Sequence, residues 1–290
     1  MDIFLVKSEF KWKKALKIYG ETLFYTIFMY VVMLIFVNKK FEIEAFVKNV
    51  FPILTKVYWF INCYLLMYIL SPYINKFIYT LSKEEYKKLL IILIIAFSIM
   101  SILPSTYSFD QSNGYSVTWF ICLYLIAGYI RLHYTKKVKT GYYLLTYLIS
   151  ATILTIGIVL INSICNYLGI SSMAKKILQY NNIIVLIEAV ALFMFFKQLN
   201  IKNSILTKII LYIAPLTLAV YLIHENRAII PVLYTQILHA EICHNNPYSI
   251  FIAIGSIILV FIICMIIEII RRKLMKISKK ILVKIKIRNV

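Results

Sequence analysis

The segment Tyr221-Leu222-Ile223-His224-Glu225-Asn226-Arg227 carries side chains that could take part in chemistry. His224 stands directly beside Glu225, and Arg227 follows two residues later. An imidazole next to a carboxylate can orient a hydroxyl acceptor or act as a general acid or base. The alternative is a polar helix end that satisfies its own backbone and contacts lipid headgroups.

Glu188 stands near the middle of the apolar stretch 183–196. Placing a charged side chain inside a bilayer costs about 2.5–3.5 kcal/mol on insertion scales, so such a residue raises a functional hypothesis. Glu188 could carry a proton or bind a hydroxyl group in a polar cavity. The alternative is a carboxyl group buried in the bundle and paired with a Lys, Tyr or Asn.

Two other glutamates within apolar stretches have simpler expected roles. Glu21 lies four residues after Lys17, which is the spacing of an ion pair on one helix face. Glu268 precedes Arg271 and Arg272, and we expect a pair at a helix end with its charges reaching toward the interface.

A basic cluster follows the apolar stretch 115–134. Its members are Arg131, His133, Lys136 and Lys137. Such a cluster could bind a phosphate-bearing cosubstrate such as a nucleotide or coenzyme A. The alternative is the ordinary excess of basic residues on the cytoplasmic side of a membrane protein.

Other common chemistries have no motif in this chain. The five cysteines show no CxxC spacing and the four histidines no HxxxH or HExxH spacing, so neither a disulfide framework nor a metal site is predicted. No P-loop and no GxGxxG motif occurs. The residues alone therefore indicate a few embedded polar groups in an apolar protein.

The elements that must position these groups are membrane helices. Hydrophobic residues make up 62% of the chain and the mean hydropathy is +0.83, well above the composition of a soluble domain. A net charge of +20 in a soluble protein would suggest nucleic-acid binding, but here the basic residues stand between apolar stretches. We therefore expect a lipid bilayer as partner and no nucleic acid.

Eight stretches approach the roughly 20 apolar residues that a bilayer span requires. They are 16–37, 57–80, 87–104, 115–134, 141–162, 182–197, 206–224 and 249–270. Counted by alternate connections, 25 of the 32 Lys and Arg residues lie on one side and 7 on the other. The positive-inside rule then places both termini in the cytoplasm.

Prolines and flanking segments add local expectations. Pro72 should kink the second span, where neighbouring helices would satisfy the freed carbonyl, and Pro215 interrupts the seventh. Segment 38–56 is a candidate amphipathic helix along the interface. The basic tail 271–290 either lies along the inner leaflet or is disordered, and we separate it from a transmembrane domain over 1–270.

One short motif occurs twice. Trp59-Phe60-Ile61-Asn62-Cys63-Tyr64-Leu65 is echoed by Trp119-Phe120-Ile121-Cys122-Leu123-Tyr124-Leu125, which predicts similar helix entries rather than a duplicated domain. Trp59 and Trp119 could stack on a sugar ring beside Asn62. The alternative for both rings is that of interfacial anchors.

Several of these segments, in order, resemble the acyltransferase-3 family of bacterial membrane O-acyltransferases. The matching stretches are Lys11-Trp12-Lys13-Lys14 with Leu23-Phe24-Tyr25, Tyr58-Trp59-Phe60-Ile61 through Leu70-Ser71-Pro72-Tyr73-Ile74-Asn75-Lys76, Trp119-Phe120 through Gly128-Tyr129-Ile130-Arg131, and Val220-Tyr221-Leu222-Ile223-His224-Glu225-Asn226. The resemblance implies transfer of an acyl group, usually acetyl, from cytoplasmic acyl-coenzyme A to a sugar hydroxyl at the outer face. Acyl-coenzyme A would be a cosubstrate, with no bound cofactor.

The resemblance also implies that this chain lacks part of the family's amino-terminal region. Family members typically have about ten spans, and their first helix carries an essential histidine and arginine. The start Met1-Asp2-Ile3-Phe4-Leu5-Val6-Lys7 resembles the end of the family's second helix, so we expect the first helix and most of the second to be missing. No residue here matches the family's catalytic pair, and a chain lacking it could be inactive.

The sequence thus predicts an all-α, polytopic helical bundle in a bacterial cell membrane. Its leading function is O-acylation of a cell-surface glycan or a lipid-linked saccharide. The alternatives are a non-catalytic transporter or flippase for a lipid-linked saccharide and a truncated, inactive remnant. The candidate acceptor-lining residues are Trp59, Asn62, Trp119, Glu188, His224, Glu225 and Arg227, and the candidate phosphate contacts are Arg131, His133, Lys136 and Lys137.

Overall fold

All regular structure in the described part of the chain is helical, which confirms the predicted all-α class. The computed structural model describes residues 6, 9–37, 40–102, 109, 112–136, 138–169, 174–243 and 246–288. The α-helices are α1 (Trp12–Phe36), α2 (Ile43–Val50), α3 (Trp59–Thr80), α4 (Lys83–Ile94), α5 (Val117–Leu132), α6 (Thr140–Tyr167), α7 (Ala174–Ile177), α8 (Ile183–Gln198), α9 (Ser204–Ile213), α10 (Thr217–His224), α11 (Ile229–Pro231) and α12 (Ser249–Arg288).

Four helical segments in the described ranges are long and apolar enough to cross a membrane. They are Trp12–Phe36, Thr140–Tyr167, Ser204–His224 and Ser249–Ser278. Each of the eight apolar stretches predicted from sequence overlaps helical structure, but the remaining four do not meet the same standard of length and hydropathy. The number of eight spans and the orientation of the termini therefore stay predictions.

The helix α3 passes through Pro72 without ending. Proline has no N–H, so the carbonyl of Tyr68, four residues earlier, loses its usual donor. The hydroxyl of Ser71 donates to that carbonyl at 2.7 Å. The freed carbonyl is thus satisfied by the neighbouring side chain on the same helix and not, as expected, by another helix.

Pro215 interrupts the seventh predicted stretch as expected. A short 3₁₀ turn, Ala214–Leu216, separates α9 from α10. The tail is helical and not disordered over its described residues, because α12 continues without a break to Arg288. Its position along the inner leaflet stays a prediction. At 1.5 Å per residue, the 40 residues of α12 form a rod of about 60 Å.

The chain divides into two compact units. The first comprises residues 1–15 and 59–200 and the second residues 16–58 and 201–290. In the first unit, α6 packs along α8, and α3 packs against α5. The repeated motif opens both α3 and α5, and the rings of Phe60 and Phe120 lie 5.5 Å apart between centroids.

A hydrogen bond from Tyr86 links α4 to α5 inside the first unit. Its ring is fully buried, and its hydroxyl donates to the carbonyl of Leu125 at 2.7 Å. A methyl group at Gly128 would stand 2.6 Å from the hydroxyl oxygen of Tyr86. The glycine therefore provides the space that this hydrogen bond requires.

A charged cluster joins α1 to α12 in the second unit. Glu268 is completely buried and accepts hydrogen bonds from Tyr25, Arg271 and Arg272. The guanidinium of Arg271 also pairs with Glu21 at 3.2 Å. The predicted pairing of Glu268 with the two arginines is thus confirmed, but its predicted position at a helix end is wrong, because Glu268 is buried in the middle of α12. Glu21 pairs with Arg271 on α12 and not with Lys17.

Candidate functional site

The polar segment at the end of α10 is held in place by a buried tyrosine. The hydroxyl of Tyr58 donates to the carbonyl of Leu222 at 2.5 Å and accepts from the side-chain amide of Asn226 at 2.9 Å. The amide oxygen of Asn226 in turn accepts from the backbone N–H of Ala228 at 3.0 Å. Tyr58 and Asn226 are 1% and 2% exposed, so this arrangement fixes the backbone on both sides of His224.

The tautomer of His224 follows from its hydrogen bond to the backbone. Its Nδ1 lies 2.6 Å from the carbonyl oxygen of Val220, four residues earlier. A carbonyl oxygen can only accept, so Nδ1 must carry the proton and, in the neutral ring, Nε2 holds a lone pair. Nε2 lies 3.6 Å from Oε1 of Glu225. An imidazole in this state can take a proton from a bound hydroxyl group.

His224 also forms part of the wall of a cavity of about 320 Å³ within the second unit. The other walls come from the helical segment Val232–Ile237, the turn after it, and the first half of α12. Among the described residues of the lining, only His224, Tyr234 and Ser256 bring polar side-chain atoms to the cavity. The cavity is therefore an apolar space with a basic nitrogen at its edge.

Tyr234 is a second group of chemical interest in this cavity. Partial burial of Tyr234, which stays 38% exposed, raises the pKa of its hydroxyl, and the negative charge of Glu225 adds to the effect. The phenol therefore stays protonated at neutral pH, and its hydroxyl remains a hydrogen-bond donor. A neutral donor near a proton-accepting imidazole is one component of a site that stabilises a developing oxyanion.

The remaining predicted acceptor-lining residues belong to the first unit, apart from Glu225 and Arg227, which are exposed in the second. Trp59 is half-buried, and its ring centroid lies 4.4 Å from that of Tyr115 and 5.5 Å from that of Tyr180. Asn62 and Glu188 are half-buried as well. The role predicted for these residues stays a prediction.

Trp119 is the most enclosed of the predicted residues. It is 1% exposed and packs with Cys122 and Leu186 in the core of the first unit. The cluster brings α5 and α8 together. Its visible contribution is therefore packing between helices.

The predicted phosphate contacts lie at the end of α5 and just beyond it. His133 follows the last residue of α5, and its ring lies against those of Tyr129 and Tyr86, with centroids 5.4 and 5.8 Å away. Arg131 and Lys136 are exposed. Lys137 lies outside the described residues.

Sequence reasoning missed Tyr58 and Tyr234. The tyrosine content is high, with 23 in the chain, and an interfacial position explains most of them equally well. The available signal for Tyr58 was its place directly before the Trp59 motif. For Tyr234 no signal was present, because its segment lacks a regular apolar period.

A comparison with protein-family models matches most of the chain to one family. The model described as an acyltransferase domain, that of the acyltransferase-3 family, matches residues 5–269. No curated protein and no solved structure shows significant similarity to the chain. The chain belongs to the acyltransferase-3 family, as its sequence segments indicated.

Proposed function

We propose that this member of the acyltransferase-3 family transfers an acyl group from acyl-coenzyme A to a sugar hydroxyl at the cell surface. The family match and the apolar helices support a membrane acyltransferase. The donor, the saccharide acceptor, the eight-span topology with cytoplasmic termini and the bacterial cell membrane are parts of the proposal. The charge distribution of the connections supports the topology.

The observation that carries the proposal is the state of His224. Its Nδ1 proton is committed to the carbonyl of Val220, and its Nε2 is the nitrogen that remains able to accept a proton. The ring stands at the wall of a cavity, with 27% of its side chain exposed. A general base needs both a lone pair and access to the reacting group.

The proposed step balances without any further reactant. The sugar hydroxyl oxygen forms a bond to the thioester carbonyl carbon, while Nε2 of His224 takes the hydroxyl proton. The carbon–sulfur bond then breaks, and coenzyme A leaves as a thiolate that receives the proton from His224. The neutral hydroxyl of Tyr234 is the candidate donor to the carbonyl oxygen as it becomes negative.

The basic residues at the end of α5 are assigned to the donor. Arg131, His133 and Lys136 could bind the phosphates of coenzyme A by charge-assisted hydrogen bonds. Lys197, at the end of α8, is close enough to Arg131 to interact with its charge and enlarges this basic group. Two helices of the first unit thus contribute to it.

The test is acyl transfer from labelled acyl-coenzyme A to surface glycan, in membranes containing the chain as printed. We expect His224→Ala to lower transfer by at least about 100-fold, the usual contribution of a general base. His239→Asn is the matched control, because His239 is exposed and has a positive φ of 45°, which Asn tolerates. Glu188→Gln tests the embedded carboxylate separately.

The outcomes separate the candidate functions. If His224→Ala still transfers the acyl group, the proposed role of the imidazole is contradicted. The proposed acyltransferase activity of the chain remains supported. Absence of any transfer by the parent chain contradicts the enzyme and leaves two alternatives, a transporter or flippase for a lipid-linked saccharide and a truncated, inactive remnant. Movement of a fluorescent lipid-linked sugar across proteoliposomes then measures the transport alternative directly.

A further inference from the structure

The cavity beside His224 has the wrong chemistry for a sugar. Its walls are formed mainly by aliphatic and aromatic groups, among them Leu238, Ala253, Val260 and Phe261. A sugar ring bound there would leave the hydroxyl groups that face these walls without partners, at a cost of about 1–3 kcal/mol each. A hydrocarbon chain has no polar groups to leave unpaired in such a space, and it gains from leaving water.

The cavity is also too large for an acetyl group. Taking roughly 30 Å³ for each water-sized heavy atom, the three heavy atoms of an acetyl group fill about 90 Å³. The cavity of about 320 Å³ has room for several more such atoms. An acetyl group alone would leave most of the apolar walls without contacts, whereas a longer chain gains dispersion attraction from them.

The position of His224 distinguishes between two sources of hydrocarbon. In an acyl donor the chain is bonded directly to the reacting carbonyl carbon, so a chain in the cavity brings that carbon to the imidazole at the wall. In a lipid-linked acceptor the sugar separates the lipid tail from the reacting hydroxyl. A tail in the cavity would then hold the reacting group away from His224.

We infer that this cavity binds the hydrocarbon part of the transferred acyl group, and that the preferred acyl group is longer than acetyl, with up to about nine or ten carbons by the same volume estimate. The inference rests on the proposed function, because it names the acyl substrate of that site. It replaces the expected acetyl group with a medium-length chain.

The first experiment measures chain-length preference in purified protein in lipid nanodiscs. Release of coenzyme A thiol is followed with acetyl-, butyryl-, octanoyl- and dodecanoyl-coenzyme A and a soluble sugar acceptor. We expect kcat/KM to rise severalfold for each added methylene until the cavity is full, and octanoyl to exceed acetyl by at least about 100-fold. A parent protein that prefers acetyl contradicts the inference.

Filling the cavity should reverse this preference. Ala253→Phe places a ring in the cavity, and Ala240→Leu reduces its volume from another wall. Each should shift the ratio of octanoyl to acetyl turnover toward acetyl by more than about tenfold. Ile258→Phe is the matched control, because Ile258 is 54% exposed on α12 and outside the lining. An unchanged ratio in a folded Ala240→Leu protein contradicts the assignment.

Photolabelling separates failure of the inference from failure of the proposed function. Octanoyl-coenzyme A with a terminal diazirine should label peptides from residues 253–261, and octanoyl-coenzyme A should compete. Labelling without any transfer contradicts the proposed function but supports the cavity as a binding site for the acyl hydrocarbon. Transfer of acetyl without such labelling contradicts the inference alone. Labelling by a diazirine phospholipid that octanoyl-coenzyme A does not displace assigns the cavity to a lipid tail and overturns the inference.

Discussion

The hydroxyl of Tyr58 bonds both to the carbonyl of Leu222 and to the side-chain amide of Asn226. These two residues flank His224, so the hydroxyl holds the backbone in place before and after the imidazole. Tyr58 stands about 170 residues before this segment in the chain, and the contact is fully buried. The position of the imidazole therefore depends on a side chain that takes no part in chemistry. Tyr58 and Asn226 are positioning residues.

Removing the Tyr58 hydroxyl should weaken both stability and catalysis. Tyr58→Phe leaves a buried carbonyl and a buried amide without their partner, and we expect a loss of about 1–3 kcal/mol in the free energy of unfolding. We also expect kcat to fall with little change in KM, because His224 loses its fixed orientation. The control is Tyr248→Phe, since Tyr248 is 66% exposed. Equal kcat in Tyr58→Phe and the parent would show that the imidazole needs no such support.

Breaking the charged cluster between α1 and α12 should be strongly destabilising. Glu268→Gln removes the charge that Arg271 and Arg272 share in a buried position, and we expect a loss of about 3–5 kcal/mol. Thermal unfolding in detergent measures the effect. Glu44→Gln breaks the exposed ion pair with Lys48 and should change the midpoint little. Similar midpoints for the two variants would contradict a structural role for the cluster.

The space above Gly128 should be intolerant of a methyl group. Gly128→Ala places its Cβ against the Tyr86 hydroxyl, which must then move from the carbonyl of Leu125. We expect a destabilisation of about 1–3 kcal/mol from this overpacking. Gly20→Ala is the control, because nothing lies within 4 Å of its added methyl group and alanine favours a helix. Unfolding curves of the two variants should therefore shift in opposite directions.

The start of α4 should depend on pH. Ser82 donates hydrogen bonds from its hydroxyl and its backbone N–H to Glu85, and these bonds lower the pKa of that carboxyl. Because the native pKa lies below the unfolded value of about 4.3, the stabilisation is present above that pH and disappears as the pH falls through the native pKa.

Hydrogen exchange of the Tyr86 amide, which bonds to the carbonyl of Ser82, reports on this first turn. We expect its protection, corrected for intrinsic exchange, to fall below about pH 4 in the parent and in Glu84→Gln. In Glu85→Gln the protection should be lower and independent of pH in that range. A pH-dependent Glu85→Gln protein would assign the effect to another group.

The positions of the helices were predictable because the bilayer sets the length of an apolar stretch. The break between α9 and α10 was also predictable, since Pro215 has no N–H to donate to the preceding turn. The ion-pair partner of Glu21 could not be predicted, because the helical period identifies only neighbours on the same helix. Its partner Arg271 comes from α12, and no local pattern identifies that contact.

For the candidate site, the sequence predicted residue types but not their geometry. The order His224-Glu225 indicated proton transfer, but the tautomer needed the observed bond to Val220, and the cavity needed the fold. Trp119 shows a further limit of reasoning from sequence, because burial depends on the fold. An aromatic residue at the start of a helix suggests an interfacial or ligand-binding ring, yet its surroundings enclose it completely.

The pair formed by Glu21 and Arg271 has a consequence for biosynthesis. The two residues are separated by 250 positions, so Glu21 leaves the ribosome long before its counter-charge exists. At about 5–20 residues per second, the delay amounts to roughly 12–50 s. During this time the nascent α1 carries a carboxyl group that Arg271 cannot yet neutralise, because the ribosome must finish α12 before the two residues can pair. The nascent first helix is therefore the stage at which a membrane insertase or chaperone would matter most to this protein.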